Sequence, residues 1–278
     1  MTATTTPSYP TMPQVQRSGS VAAFRALLLR DVTVLRKNLA EFIPRTLLQP
    51  LLLVFVFTYV LPKIQLAPGG EAGAETFSTL LIAGVVGTAI LFQGIQSVAL
   101  PLVQEFGFTR EIEDRVLAPL RVELVAVEKI VSGALQCLLS AALVFPIAAV
   151  VPVTPVHLRV DWPVLITLAL LACVASASLG LFFGTVFEPR TVPMLFGVIV
   201  VPITFLGCVY YSWKSLAVIP WLQVVVLANP LVYICEGFRA ALTPAEHMPL
   251  WVIYPVLVGF TGVFASLGIR SFKRRVIA

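Results

Sequence analysis

The chain has 278 residues, of which 58% are hydrophobic and only 12% charged, and its formal net charge is +5. Soluble domains carry roughly 25% charged residues, so a water-soluble globular protein is excluded and the apolar residues need lipid around them. The basic residues form no stripe interleaved with aromatic residues, which argues against nucleic-acid binding.

The N-terminal part predicts a tail followed by an amphipathic helix. Residues 1–20 are rich in Thr, Ser and Pro, a composition typical of disorder. Between residues 21 and 42 the following apolar residues recur every three or four positions: Val21, Phe24, Leu28, Val32, Leu35, Leu39 and Phe42. This spacing predicts a helix with one apolar stripe. Its basic residues are Arg25, Arg30, Arg36 and Lys37.

We interpret this helix as lying on the cytoplasmic membrane surface, with its basic residues facing anionic lipid head groups. The alternative is a helix that packs on a soluble partner. Pro44 is expected to mark the turn into the first span, because proline disturbs a helix at the turn before it.

Long charge-free runs predict six transmembrane helices, because roughly 20 helical residues cross the hydrocarbon core of a bilayer. The predicted spans cover, in order, residues 46–62, 77–102, 126–150, 163–187, 191–212 and 249–269. Residues 21–278 are therefore expected to form one all-α polytopic membrane domain. In the fourth span, Ser176, Gly180 and Gly184 recur at four-residue spacing, which predicts close helix packing.

A seventh charge-free run, between Lys214 and Glu236, is interrupted by Pro220 and by Asn229-Pro230. Proline inside a helix removes a hydrogen-bond donor, so this run predicts short re-entrant helices between the fifth and sixth spans. The positive-inside rule agrees. Six spans with both termini in the cytoplasm place 15 basic residues inside and 4 outside, whereas seven spans give 12 and 7.

The loop between the second and third spans is the most charged segment of the chain. Residues 109–117 predict a short helix that ends before Pro119. One interpretation is a solvated loop with scattered charges, and the other is a rigid helix that docks on a cytoplasmic partner and moves both spans. The charged residues of this helix are Arg110, Glu111, Glu113, Asp114 and Arg115.

The segment NPLVYICEGFRAAL, residues 229–242, carries Glu236 and Arg239 three positions apart, where they can pair on a helix. Ionisable groups at membrane depth are costly and tend to have specific partners, which favours a functional role for the segment. Its candidate residues are Asn229, Pro230, Glu236, Gly237 and Arg239. The alternative is that the two charges cap an external helix in water.

Polar and aromatic residues within the spans are candidates for lining a transport path. Gln93 and Gln96 lie in the otherwise apolar second span, where the alternative is hydrogen bonding to a neighbouring helix. The aromatic candidates face either an amphiphilic substrate or lipid, and they are Phe55, Tyr59, Phe92, Phe196 and Phe205.

The chain lacks the patterns that carry enzymatic chemistry. It contains no G-x-x-x-x-G-K-[ST] phosphate-binding loop and no HExxH motif. Its four cysteines form no CxxC pair and its two histidines are far apart, so no metal site is expected. An ion-coupled secondary transporter is an alternative, but it needs ionisable residues within its spans. The only candidates are Glu128 and Lys129, which are expected to pair with each other or to snorkel.

Three of these features together resemble the permease subunits of the ABC-2 type transporter family. They are the amphipathic helix, the segment TREIEDRVLAPLRVELVAVEKI (109–130) and the segment NPLVYICEGFRAAL. The resemblance covers residues 20–275. It implies a dimeric permease with two separate ATPase subunits on the cytoplasmic side, which hold ATP and Mg²⁺, so no cofactor is expected on this chain.

The resemblance also implies roles for individual segments. Residues 109–117 would be the coupling helix that docks on the ATPase, residues 21–42 the connecting helix beside it, and the second and fifth spans would line the path. The family includes exporters of drugs, polysaccharides and lipo-oligosaccharides. The expected function is therefore half of an export path for an amphiphilic, lipid-like, drug or glycan substrate in the bacterial cytoplasmic membrane.

Overall fold

The structure, a computed structural model, describes residues 20–64, 66, 70–109, 121–151, 159–187, 191 and 196–277. Its regular elements within these ranges are all helices, which confirms the predicted all-α fold. They are α1 (Ser20–Lys37), α2 (Leu39–Val54), α3 (Gly70–Gln104), α4 (Val122–Val150), α5 (Trp162–Val186), α6 (Val201–Phe205), α7 (Pro220–Val225), α8 (Pro230–Leu242) and α9 (Leu250–Ile277).

Several helices are extended by turns of other helical types. A π-helical stretch, Phe55–Val60, continues α2 into a last α-turn, Leu61–Lys63. Another π-helical stretch, Glu105–Thr109, continues α3, and a third, Phe196–Val200, precedes α6. Short 3₁₀ turns, Trp213–Val218 and Val226–Ala228, flank α7.

Five helical segments of the described ranges are long and apolar enough to cross a membrane. They are Leu39–Lys63, Thr76–Gly107, Val122–Ile147, Trp162–Val186 and Leu250–Val276. A sixth is reached if Pro220–Ala228 and Pro230–Leu242 count as one span, but these two pieces meet at an angle of 98°. The polytopic membrane architecture is therefore confirmed, and the sharp bend falls at Asn229-Pro230, the interruption visible in the sequence.

The amphipathic helix ends earlier than its sequence pattern indicates. The break between α1 and α2 lies at Asn38, which has φ −104° and ψ 17°. Pro44 and Pro50 both lie inside α2, so the expectation that Pro44 marks the turn into the span is wrong. The apolar periodicity runs through Asn38 without interruption and gives no sign of the break, while asparagine favours non-helical positions through its own backbone hydrogen bonds.

The fifth predicted span also differs from its charge-free run. Its described helix ends at Phe205, before the predicted end at residue 212. The backbone turns away at Gly207, where a Cβ atom would lie 2.4 Å from Leu231 Cδ2, and at Cys208, which has a left-handed φ of 54°. The helix has already ended at its C-cap, Leu206, so the left-handed Cys208 belongs to the turn beyond it, and hydropathy alone does not reveal this turn.

The centre of the bundle is α3, whose most apolar stretch is 83% buried, against 17% for α2 and for α9. It packs on α4, α5 and α8. The crossing of α3 and α5 is close because a Cβ at Gly180 would lie 2.6 Å from the carbonyl oxygen of Gly94. The small-residue spacing of the fourth span thus marks a helix contact, as predicted.

Candidate functional site

Two charged side chains of α8, Glu236 and Arg239, are fully buried and form an ion pair. Their spacing of three residues puts them on one face of the helix. Because both side chains are buried, the alternative that the two charges cap an external helix in water is wrong. A buried charge is tolerated only where hydrogen bonds replace its lost hydration, and both side chains have such partners.

The carboxylate of Glu236 joins two connecting segments to α8. Its Oε1 accepts a hydrogen bond from the backbone N–H of Trp213 at 2.8 Å, and its Oε2 accepts one from the backbone N–H of Met248 at 2.8 Å. Trp213 lies before α7 and Met248 lies before α9. Hydrogen bonds to a charged acceptor are roughly twice as strong as neutral ones, so one side chain fixes the chain before and after the bent pair.

The guanidinium of Arg239 binds the segment that follows α6. Its Nη2 donates to the backbone carbonyls of Cys208 at 2.9 Å and Tyr211 at 3.3 Å. These carbonyls belong to a stretch that has left helical geometry and therefore lacks helical partners for them. Arg239 supplies those partners within the buried interior.

Asn229 and Gly237 complete this arrangement. Asn229 Oδ1 accepts from the N–H of Leu231 at 2.9 Å and caps α8, while its Nδ2 donates to the carbonyl of Ile203 in α6 at 2.7 Å. At Gly237 a Cβ would lie 2.6 Å from Leu168 Cδ2 of α5. We call the set Asn229, Pro230, Glu236, Gly237 and Arg239 the α8 junction, because it holds the bent pair against α5 and α6.

The polar path candidates of α3 contact α2. Thr46 Oγ1 donates to Gln93 Oε1 at 3.2 Å, and Arg45 Nη2 donates to Gln96 Oε1 at 3.5 Å. Both glutamines are half-buried. The two glutamines therefore connect α3 to α2 through hydrogen bonds, and part of each glutamine side chain remains accessible.

The aromatic path candidates lie in separate environments. Phe55 is exposed and stacks on Tyr59, with ring centroids 5.1 Å apart. Phe205 is exposed beside Tyr210 at 6.4 Å. Phe92 is half-buried against the core, and the structure describes only the backbone of Phe196.

A second cluster of charges lies where α3 ends and α4 begins. Glu105, in the π-helical end of α3, pairs with Lys129 of α4 at 2.7 Å, and their side chains are only 8% and 6% exposed. The sequence predicts that Glu128 and Lys129 pair with each other or snorkel, and this is wrong for Lys129, which is buried and pairs with Glu105. Adjacent helical residues point in different directions, so a partner 24 residues earlier is better placed.

The last turns of α9 close this cluster. Arg275 Nη1 donates to the carbonyl of Phe187 at 2.9 Å, just beyond α5, and its guanidinium lies 4.7 Å from the Phe106 ring centroid. Phe106 also meets Phe272 edge to face at 5.9 Å. Lys273 pairs with Glu123 of α4 at 2.6 Å.

We call this second cluster the loop junction, and its residues are Glu105, Phe106, Glu123, Lys129, Phe272, Lys273 and Arg275. It connects the ends of α3, α4, α5 and α9 on both sides of residues 110–120. Sequence reasoning missed it because its contacts join residues far apart in the chain. One signal was present in the sequence: a charge-free run ends at Glu105, and another begins at Lys129.

The remaining candidates divide between the described and undescribed parts of the chain. The predicted coupling residues, Arg110, Glu111, Glu113, Asp114 and Arg115, lie outside the described residues. The predicted connecting residues, Arg25, Arg30, Arg36 and Lys37, are exposed along α1. This helix packs on α4, with Phe24 and Leu27 against the core. Within the described ranges, no group of three His, Cys, Asp or Glu side chains is arranged to hold a metal ion.

The chain is similar to known membrane transport proteins. Residues 22–243 match the family described as "ABC-2 type transporter". The chain is 25% identical over 223 residues to the inner membrane transport permease YadH of Escherichia coli K12 and to that of Shigella flexneri, with 79% of this chain and 84% of each relative covered. The chain belongs to the ABC-2 type transporter family and is a multi-pass inner-membrane permease of an ABC transporter.

Proposed function

We propose that this chain forms half of the translocation path of an ATP-driven exporter, and that a separate ATPase subunit supplies the energy. ATP and Mg²⁺ would bind to that subunit, and a second copy of this chain or a homologous permease would complete the path. The cargo would be amphiphilic: a lipid-like molecule, a drug or a glycan carrier. Both termini would lie in the cytoplasm, where α1 would contact lipid head groups.

The observation that carries this proposal is the loop junction. Residues 110–120 connect Thr109, at the π-helical end of α3, to Arg121, which precedes α4. Next to these two ends, Phe106 contacts α9 and Glu123 pairs with Lys273 of α9. A partner that pushes on the predicted coupling segment would therefore displace several helix ends together.

Helix α5 provides a mechanical connection from this junction to the other one. The carbonyl of Thr185 in its last turn and that of Phe187, just beyond its end, accept hydrogen bonds from Arg275. Near its other end, Leu168 packs against Gly237. At 1.5 Å per residue, Leu168 and Phe187 are separated by about 28 Å along a helix. Packed helices shift as units between discrete positions, so a displacement at the loop junction would reach the α8 junction along this helix.

The first test is purification of the tagged full-length chain in mild detergent. We expect a separate ATPase subunit in a stable ratio to the permease, and we expect charge reversal by Glu113→Lys with Arg115→Glu to reduce its recovery. Glu246→Lys is the matched control, because Glu246 is an exposed acid that pairs with Lys214, away from the loop junction. Equal ATPase recovery in both variants would remove the coupling role of residues 110–115.

The ion-coupled alternative makes the opposite prediction. A secondary carrier would purify without an ATPase and would move a fluorescent amphiphile across vesicle membranes under a proton gradient without nucleotide. Transport under those conditions, undiminished by the Glu113→Lys and Arg115→Glu changes, would replace the ATP-driven proposal.

A further inference from the structure

One face of α2 forms an open groove of about 450 Å³. Its lining residues follow helical spacing along a single face and are Arg45, Leu48, Gln49, Leu52, Leu53, Val56 and Phe57. Nearly all of the surface that lines the groove is apolar, and the polar residues Arg45 and Gln49 lie toward one end of it.

The polar end presents a cation. Arg45 is exposed, and its side chain donates one long hydrogen bond, to Gln96 at 3.5 Å. Among the described residues no carboxylate forms an ion pair with Arg45, Glu41 one turn earlier included. Gln49 adds an exposed amide one turn further along. A guanidinium offers several N–H donors in a plane that matches phosphate and carboxylate oxygens.

The apolar part is suited to a hydrocarbon chain. Leu48, Leu52 and Val56 are 59%, 53% and 41% exposed, while Leu53 and Phe57 pack against the core and form the floor. From Arg45 to Phe57 the helix rises about 18 Å. The hydrocarbon of one leaflet is about 15 Å thick, half of the full core. A chain from one leaflet therefore fits along the groove while its head group stays at Arg45.

We propose that this groove binds an anionic membrane amphiphile, with a phosphate or carboxylate head on Arg45 and Gln49 and its hydrocarbon chain along Leu48, Leu52 and Val56. Charge favours this occupant over a zwitterionic lipid, because an anionic head group compensates the exposed cation of Arg45 at the end of the predicted first span. If the bound molecule is also the transported cargo, the proposed exporter carries anionic amphiphiles, and this part of the inference rests on the proposed function. The binding of an anionic amphiphile to the groove does not depend on that function.

The test measures protection of a single introduced cysteine. Leu52→Cys places a reactive thiol on the exposed wall of the groove, while the native cysteines Cys137, Cys173, Cys208 and Cys235 are buried. The purified chain in a maltoside detergent is labelled with a fluorescent maleimide in the presence of dodecyl phosphate. We expect dodecyl phosphate to slow labelling, and we expect dodecylphosphocholine and inorganic phosphate at equal concentration to leave it unchanged.

Variants of the cation give the decisive comparison. In the Leu52→Cys background, Arg45→Gln should weaken protection by about tenfold, since a hydrogen bond to a charged group is lost, and Arg45→Lys should retain part of it. Arg270→Gln is the matched control, because Arg270 is an exposed cation on α9. Val56→Cys repeats the measurement if Leu52→Cys does not yield folded protein.

Three results would overturn the proposal. Equal protection by dodecylphosphocholine, or unchanged protection in Arg45→Gln, would show a general hydrocarbon surface. Protection that rises with protein concentration and needs no amphiphile would show that a second copy covers this face. The assay contains no nucleotide or ATPase and measures no transport. Specific protection can therefore be found even if the ATP-driven function is wrong, and protection can be absent even if that function is right.

Discussion

Glu236 uses both carboxylate oxygens on backbone N–H groups, one before α7 and one before α9, and it also pairs with Arg239. The two side chains therefore depend on each other. Removing one partner of a buried pair leaves the other charge without compensation, which costs far more than losing an exposed pair.

We expect Glu236→Gln to lower the free energy of unfolding by about 3–5 kcal/mol, because Arg239 remains buried and charged. Thermal unfolding in detergent, followed by helix content, measures this loss. Glu246→Gln is the matched control, since its pair with Lys214 is exposed, and its effect should stay below about 1 kcal/mol. Equal losses in the two variants would contradict the structural role of the α8 junction.

For single residues, the sequence reveals which charged side chains need a partner more readily than which residue that partner is. Glu236 and Arg239 are visible as a pair because they lie three residues apart on one helix. Lys129 is paired with Glu105, 24 residues away, and only the fold brings these two together. The contacts of Arg275 with α3 and α5 are non-local for the same reason.

Among the helices, the crossing of α3 and α5 depends on residues that lack side chains. A Cβ at Gly180 would lie 2.6 Å from the carbonyl oxygen of Gly94 and 3.0 Å from Ile95 Cα. Both neighbours are backbone atoms, so neither can rotate away. Any side chain at this position must separate the two helices.

We expect Gly180→Ala to destabilise the protein by about 1–3 kcal/mol through overpacking. Gly259→Ala is the control, because a Cβ at Gly259 meets no atom within 4 Å. That change should be neutral or stabilising by up to about 1 kcal/mol, since alanine favours helix over glycine. Unfolding of both variants under the same detergent conditions provides the comparison, and a more stable Gly180→Ala variant would contradict the close crossing.

The helices themselves could largely be predicted, because crossing a bilayer requires long apolar runs that are local in the sequence. The residues at which the helices end were harder to predict from the sequence. The break at Asn38 interrupts no hydrophobic pattern, and α6 ends at its C-cap Leu206, two residues before the left-handed Cys208. Asn229 donates to the carbonyl of Ile203 inside α6, and Arg239 donates to the carbonyl of Cys208 after it. No local sequence pattern reveals these contacts.

Two junctions of charged side chains lie among the described residues, and the proposed topology places them on opposite sides of the membrane. Lys214 lies near the α8 junction and Arg274 near the loop junction, and both are exposed. An impermeant maleimide added to intact cells lacking an outer membrane barrier should label Lys214→Cys and leave Arg274→Cys unlabelled. The native thiols are buried and give little background. Labelling of Arg274→Cys alone would invert the topology.

We propose that this chain receives energy from a separate ATPase through the loop junction. The test is the rate of ATP hydrolysis by the reconstituted full complex, compared with the ATPase alone, the permease alone, and complexes carrying Arg275→Ala or the exposed neighbour Arg274→Ala. We expect no hydrolysis by the permease alone and an altered rate in the complex. Arg275→Ala should return that rate toward the isolated ATPase, and Arg274→Ala should not. Hydrolysis by the permease alone, or an ATPase rate that is the same with and without the permease, would show that the loop junction does not couple this chain to a separate ATPase.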